Sequence, residues 1–441
     1  MVSTTFAYNL KAVLKETGLA ADTLRAWERR YGLPVPKRTA GGHRMYSERD
    51  IHTIKWLIAR QAEGLSISRA VDLWNEKTAS GSDPLADSTT PALTSASSFA
   101  PQFTPGTSLE ALRAHWIKAC IDFDEPIADQ TLNLAFSMFP VESVCIEVLQ
   151  KGMSEIGGLW YENHASVQQE HFASALAMRR IDTLISASPA PTRRQTVIVG
   201  CAPNEWHAFT PLLISLFLRR RGLNVIYLGA NVPASLFQEM VTKVHADLTV
   251  LVAQQLVTAA TLLQTSQVLD SKGTRIAFGG RIFNSHPLLI RHIAGSFLGE
   301  TVQDAIANIE ALVTGSAKNP KAEPIEQEYA DAALTFQMRR PYIEAALNQT
   351  ISSLHHAAET MKVATEFLGN NIIAALQLGD MSLVDNEIDW VNILLKTNHV
   401  PDKALGEYLQ YYTKAVTANM TNSGKPIHDW LSAQTQKLEA Q

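Results

Sequence analysis

Glu205-Trp206-His207 follows the apolar run from Thr196 to Ala202 and precedes a helical pattern that begins near Ala208. A carboxylate two residues from an imidazole can fix the ring through one nitrogen and leave the other as a metal donor. Alone, an acid-x-His triplet is most often a pair of solvent-facing side chains. Its placement is more specific, because a buried strand ending in such a turn puts it at the C-terminal edge of an α/β sheet, where these folds bind ligands. Three further groups stand out along the chain. Trp160 is followed, after nine residues, by Glu170-His171; Gln254-Gln255-Leu256 and Gly279-Gly280-Arg281 each close an apolar run. A Gly-Gly turn lets the backbone approach a ligand closely, and Gly229 after Tyr227-Leu228 can leave similar room.

These residues need elements to hold them. Short β-prone runs at Thr196–Gly200, Asn224–Leu228, Asp247–Ala253, Arg275–Phe278 and Gly295–Leu298 alternate with helix-sized intervals, which predicts a doubly wound parallel α/β domain over 191–315. Before it, apolar positions at three-to-four spacing in Leu109–Cys120, Pro126–Met138, Val141–Gly157 and Val167–Ile185 predict a four-helix bundle over 108–190. A Ser/Thr/Ala/Pro-rich stretch over 78–107 reads as a flexible linker, and Ser316–Pro324 as a shorter one. Residues 324–441 are helical in pattern throughout, with a final helix near Pro426–Lys437.

The first 77 residues carry 13 Lys/Arg against 8 Asp/Glu, whereas the whole chain has a net charge of −5. A basic segment on an acidic body suits a DNA-binding head. Helices are predicted at Leu10–Thr17 and Ala21–Tyr31, with Leu24, Trp27 and Tyr31 near one face and Arg25, Arg29 and Arg30 free to reach outward. After the Gly32-Leu33-Pro34 break, Lys37, Arg38, His43, Arg44 and Tyr46 lie on a hairpin turned by Gly41-Gly42, a wing suited to phosphates or the minor groove. Ser47 would cap the next helix.

The string from Thr23 to Ser47 closely resembles a MerR-type winged helix-turn-helix. That resemblance implies double-stranded operator DNA as partner, bound by a homo-oligomer (dimer or tetramer). Trp160 with Glu170-His171, followed by the Glu205-x-His207 loop, resembles the cobalamin photoreceptors of CarH/LitR type. The resemblance implies adenosylcobalamin as cofactor and His207 as axial ligand to cobalt, with Glu205 behind it. It further places Trp160, Glu170 and His171 at the upper, adenosyl side, and Gln254, Leu256, Gly279 and Gly280 along the nucleotide tail. Three positions depart from the pattern. Thr210-Pro211 stand where a Gly is usual, Gln254 replaces a Ser, and Tyr161 replaces a His that captures cobalt after photolysis. His164, one turn on, could take that role, so the end state after light is left open.

The CarH-type pattern ends near Gly315. In the added region Arg339-Arg340-Pro341-Tyr342, His355-His356 and Trp390 stand out. Adjacent histidines point to different faces and form no i, i+4 metal pair. A helical bundle for oligomer contacts is the preferred reading. A pocket for a second chromophore such as a linear tetrapyrrole is the other, although the region holds no cysteine for a thioether link.

The three cysteines (Cys120, Cys145, Cys201) lack CxxC spacing and predict neither a disulfide framework nor a thiolate zinc site. No apolar run approaches the ~20 residues that span a bilayer, and no signal sequence opens the chain, so a cytoplasmic protein without membrane partners is expected. No nucleophile–base constellation lies outside the cofactor site, so no enzyme is expected. The expectation is a multidomain, cobalamin-dependent transcriptional regulator, a repressor switched by light. The alternatives are a cobalamin-abundance sensor without a light response and a corrinoid carrier for a methyltransferase.

Overall fold

The computed structural model describes residues 6–17, 19, 21–39, 41–62, 67–80, 83–85, 107–162, 164–351, 358–397, 404–420 and 422–439. The chain divides into two compact units, Met1–Gln102 and Phe103–Gln441.

In the first unit, β1 (Phe6–Asn9), α1 (Leu10–Thr17), α2 (Ala21–Tyr31), β2 (Lys37–Arg38), β3 (Arg44–Ser47), α3 (Glu48–Ala62) and α4 (Ile67–Ala79) follow in order. The strands form an antiparallel sheet in the order β1-β3-β2. The sequence reading has no counterpart to β1, which pairs Phe6 with Ser47 and Asn9 with Met45. Leu24, Trp27, Ile54, Trp56 and Trp74 fill the core, as the helical period of α2 predicts for the first two. Ser47 caps α3 as expected: its hydroxyl accepts from the Asp50 N–H at 3.2 Å and the Asp50 carboxylate accepts from the Ser47 N–H at 2.7 Å. The proposed linker at 78–107 starts too early. α4 runs to Ala79, Arg49 clasps Asp83 at 2.8 Å, and Leu85 is buried in the head core; residues 86–106 lie outside the described residues.

The second unit opens with α5 (Leu109–Ile121), α6 (Glu125–Met138), α7 (Val141–Val144), a π-helical turn at Cys145–Gln150, α8 (Lys151–Tyr161) and α9 (Val167–Ser186). These form the expected bundle, and the third predicted helix is α7, the wide turn and α8 run together. Ser166 caps α9 reciprocally with Gln169, whose amide also donates to the Ile121 carbonyl at 2.8 Å. The α/β portion follows: β4 (Thr196–Cys201), α10 (Phe209–Arg220), β5 (Asn224–Gly229), α11 (Ala234–Val244), β6 (Leu248–Val252), α12 (Leu256–Asp270), β7 (Ile276–Gly279), α13 (Arg281–Ser285), β8 (Ser296–Phe297) and α14 (Val302–Thr314). All five strands are parallel, in the order β5-β4-β6-β7-β8. The connections diverge on either side of β4, so the crevice beyond its C-terminal end is the ligand position of such a sheet.

Five helices close the chain: α15 (Gln327–Ile351), α16 (Ala358–Leu378), α17 (Asp385–Thr397), α18 (Ala404–Asn419) and α19 (Lys425–Glu439). His355-His356 lie outside the described residues. One sheet face shares its apolar core with α10, α14 and the bundle, the other with α11, α12 and the C-terminal helices. The addition at 324–441 is therefore continuous with the α/β core. The expected linker at Ser316–Pro324 is likewise tied down. Asn319 accepts from the Ile276 N–H at 2.8 Å and donates to the Asp270 carboxylate and the Thr274 carbonyl at 2.7 Å each. Glu323 closes on Arg291, its N–H donating to that carbonyl at 2.8 Å.

Asn319→Ala leaves a strand N–H without its acceptor, and an unsatisfied buried group costs about 1–3 kcal/mol. The unfolding free energy of the larger unit, from urea titration, should fall by that amount and its midpoint move to lower urea; an unmoved transition would show that the segment contributes no more than a tether.

Candidate functional site

The loop between β4 and α10 is pinned along its length. The Asn231 N–H donates to the Glu205 carbonyl at 2.7 Å, the Asn231 side chain accepts from the Asn204 N–H at 2.8 Å, and the Thr261 hydroxyl donates to the Pro203 carbonyl at 2.7 Å. Tyr227 of β5 donates to the Ala208 carbonyl at 3.2 Å.

Within this frame Glu205 is fully buried. Its Oε1 accepts from the His207 N–H at 2.9 Å and pairs with His207 Nδ1 at 2.6 Å. Its Oε2 accepts from the Gln254 N–H at 2.7 Å and the Thr258 hydroxyl at 2.6 Å. Burial alone would lift the pKa of this carboxyl, but the bonds from the His207 ring, the Thr258 hydroxyl and the two backbone groups outweigh it and bring the value down to about 2. The charged carboxylate in turn raises the pKa of His207 above its ordinary value, chiefly through their hydrogen bond and against the opposing effect of burial. With Nδ1 donating to Glu205, Nε2 carries the lone pair, and the His207 side chain is 57% exposed. This is a charged, oriented imidazole pair able to present one nitrogen to a metal.

Glu170 of α9 and Arg281 after the Gly-Gly turn both reach His207 electrostatically, the acid raising and the guanidinium lowering its basicity. The bundle motif and the β7 turn thus both act on the charge of the same ring. Trp160 at the end of α8 is 40% exposed, and His171 is exposed beside Glu170, at 3.7 Å. His164 is exposed and faces Glu162 at 3.4 Å, whereas the Tyr161 side chain lies outside the described residues. Trp206, between Glu205 and His207, leaves 69% of its surface in solvent.

On the other side, Gln254 bridges two strand ends: its side-chain oxygen accepts from the Arg281 N–H at 2.9 Å. Leu256 is buried at the start of α12. Gly279 sits in β7, and Gly280 has φ +132, where a Cβ would lie 1.8 Å from the Ala253 carbonyl oxygen. Glycine at 280 is therefore demanded by the packing of β6 against the turn, with or without a ligand. The sequence reading missed Thr258, Thr261, Asn231 and Tyr227. A hydroxyl residue in the first turn of the helix following Leu256 was the available signal.

In the head, Arg25, Arg29, Arg30, Lys37, Arg38 and His43 are exposed. Arg38 steadies the wing by donating to the Gly42 carbonyl at 3.2 Å, and Lys37 lies 4.5 Å from the Phe6 ring centre. Two expected DNA contacts are turned inward. Tyr46 is fully buried with its hydroxyl donating to Glu28 at 2.6 Å, and Arg44 pairs with the other Glu28 oxygen at 2.8 Å. Tyr46 is thus a core residue that joins β3 to α2, since a buried hydroxyl must find a partner.

Residues 8–77 match the MerR HTH family regulatory proteins, and residues 112–185 match the B12 binding domain. A DNA-binding head and a B12 binding domain in one chain define a cobalamin-binding transcriptional regulator. The chain belongs to the MerR-type family of the CarA and CarH repressors. It is 30% identical to the HTH-type transcriptional repressor CarA of Myxococcus xanthus over 246 residues, 55% of this chain and 75% of that protein. It is 29% identical to CarH of the same organism over 318 residues, 70% of this chain and 99% of that protein. Among solved structures, the monomethylamine corrinoid protein of Methanosarcina barkeri matches with a TM-score of 0.38 at 17% identity, over 46% of this chain and 97% of that one.

The Glu205 pKa of about 2 lies below its ordinary 4.5, so its stabilisation is complete above pH 4.5 and is lost as pH falls towards 2. His207 runs the other way: its contribution is present below 6.5 and disappears as pH rises through its raised value. Glu205→Gln should remove the acid-sensitive component and lower the His207 pKa, as read by NMR titration of the cofactor-free protein. Thr258→Val should raise the Glu205 pKa by removing a donor. A His207 titration indifferent to Glu205→Gln would contradict the pairing.

Proposed function

We propose that this protein is a light-responsive repressor that holds adenosylcobalamin on His207 and binds operator DNA as a homo-oligomer. The observation that carries the reading is the His207 ring fixed through Nδ1 by a buried, charged Glu205, with Glu170 and Arg281 within electrostatic reach. That donor set fits cobalt, which takes a neutral imidazole nitrogen oriented by a carboxylate partner. Adenosylcobalamin supplies a cobalt–carbon bond that visible light breaks.

The chain's own residues divide the remaining work. Glu205 keeps His207 in the tautomer with Nε2 free, and Thr258 and the Gln254 N–H keep Glu205 charged. Trp160, Glu170 and His171 of the bundle, with Gln254, Leu256, Gly279 and Gly280 of the sheet portion, would hold the cofactor. Bundle and sheet residues that both held the cofactor would keep one relative pose, and without it the bundle would be free to shift and weaken a multivalent grip on DNA. On the head, Arg25, Arg29, Arg30, Lys37, Arg38 and His43 face the nucleic acid, with Arg44 acting through Glu28 to hold the wing.

His207→Ala should abolish retention of the cofactor through gel filtration, whereas Glu205→Gln weakens it less. Because protonation of His207 competes with coordination, wild-type affinity should rise with pH until the raised His207 pKa is passed. An unchanged spectrum and stoichiometry in His207→Ala would remove His207 as the residue that holds the metal. The absorption spectrum and DNA affinity of the loaded protein, measured before and after green light, test the switch: both should change together. A cofactor intact after illumination leaves an abundance sensor instead.

Arg29→Ala should weaken DNA binding without altering the cofactor spectrum. Removing a single phosphate-binding side chain lowers the slope of log affinity against log salt by about one. DNA affinity equal to wild type would misplace the recognition helix.

A further inference from the structure

Neither the cofactor site nor the head uses Arg339-Arg340-Pro341-Tyr342, although it lies in the middle of α15. That helix turns Ala332, Phe336, Ile343 and Leu347 into the core. Arg340 is held on the same body, donating to Glu344 at 2.6 Å, to Asn370 at 2.7 Å and to the Glu366 carbonyl at 3.1 Å. The outer face is different. Leu334, Met338 and Tyr342 are 60%, 60% and 61% exposed, and their spacing of four residues aligns them over successive turns. Pro341 and Ala345 flank them on the same helix. Single exposed apolar side chains are ordinary, but a continuous stripe on a water-facing helix marks a contact surface.

We propose that the outer face of α15 is a homodimer contact, in which two copies pack antiparallel through Leu334, Met338 and Tyr342. The charges beside the stripe select that occupant. Asp331 and Arg339 are both exposed and lie along one flank, two turns apart, the acid nearer the N-terminus. Antiparallel helices bring like flanks together, so Asp331 of each copy meets Arg339 of the other. Nearly the same register sets Leu334 against Met338 and Ala330 against Tyr342. A parallel pair would instead put this flank of the two copies on opposite sides of the seam, where neither charge meets its complement. The need for a second copy comes from the head, because helix-turn-helix proteins bind paired half-sites as dimers; to that extent the inference rests on the proposed function. About 28 Å of paired helix gives a contact at the small end of specific interfaces, and the dimer should therefore dissociate reversibly in roughly the micromolar range.

Sedimentation equilibrium of the full chain, without DNA or cofactor, tests this contact. Wild type should show a monomer–dimer equilibrium, and Met338→Glu should weaken it by about tenfold or more. Asp331→Arg and Arg339→Asp should each weaken it, and the two together in one chain should restore it to within about threefold of wild type. A thermal melt of each variant controls for folding. The contact is overturned by a wild-type chain that stays monomeric to about 100 μM, by a Met338→Glu dimer as tight as wild type, or by a double exchange no better than its single parents. Binding of a mixed-sequence DNA duplex is measured alongside. A chain that dimerises through α15 but ignores DNA overturns the reading of the head and supports the contact.

Discussion

The buried carboxylate of Glu205 is the constraint on which the candidate site of the larger unit depends. A buried charge is costly unless hydrogen bonds replace its water. Here the His207 N–H and ring, the Gln254 N–H and the Thr258 hydroxyl do so. Those donors come from the β4 loop, the end of β6 and the first turn of α12. Satisfying one carboxylate therefore locks three pieces of chain around the crevice where the sheet connections diverge. The same bonds keep Glu205 ionised and define which nitrogen of His207 is free.

α12 extends that lock into the rest of the unit. Thr258 and Thr261 bond the His207 loop, while the helix also packs on α16 within a continuous apolar core. Val257, Thr261 and Gln264 share a cleft of about 270 Å³ with Gln337, Asn370 and Ile373 from α15 and α16. Farther along, burial lifts the Glu387 carboxyl of α17 above its ordinary range against the pull of Arg281, the residue that also touches the electrostatics of His207. The C-terminal helices thus lean on the elements that hold the candidate ligand loop. They are part of the second compact unit and not an appendage behind a linker.

The head is built on a parallel economy. Glu28 takes the Tyr46 hydroxyl and the Arg44 guanidinium, and this one acid fastens the wing to α2. The basic side chains that remain exposed are then carried on a framework in which Glu28 ties β3 to α2. Arg44 illustrates why a basic residue in a basic motif need not face DNA: its nearest opposite charge is inside its own fold.

Local signals in the sequence determined a good deal. The helical period of Leu24 and Trp27, the switch from helical to β-prone spacing after residue 190, and the position of Glu205-Trp206-His207 behind a buried strand all follow from chain-local side-chain patterns. These were enough for the element types and the sheet class, while the placing of Glu170 near His207 came from the resemblance to photoreceptors of CarH/LitR type. Only the tertiary structure decided the partners that lie far along the chain. Thr258 meets Glu205 across 53 residues and Asn319 meets Ile276 across 43. Tyr46 became a core residue because a distant acid sits opposite it. Ser316–Pro324 became a docked segment because β7 had an N–H to satisfy. Composition describes what a segment can do when alone, whereas burial and hydrogen-bond satisfaction depend on what the fold brings beside it.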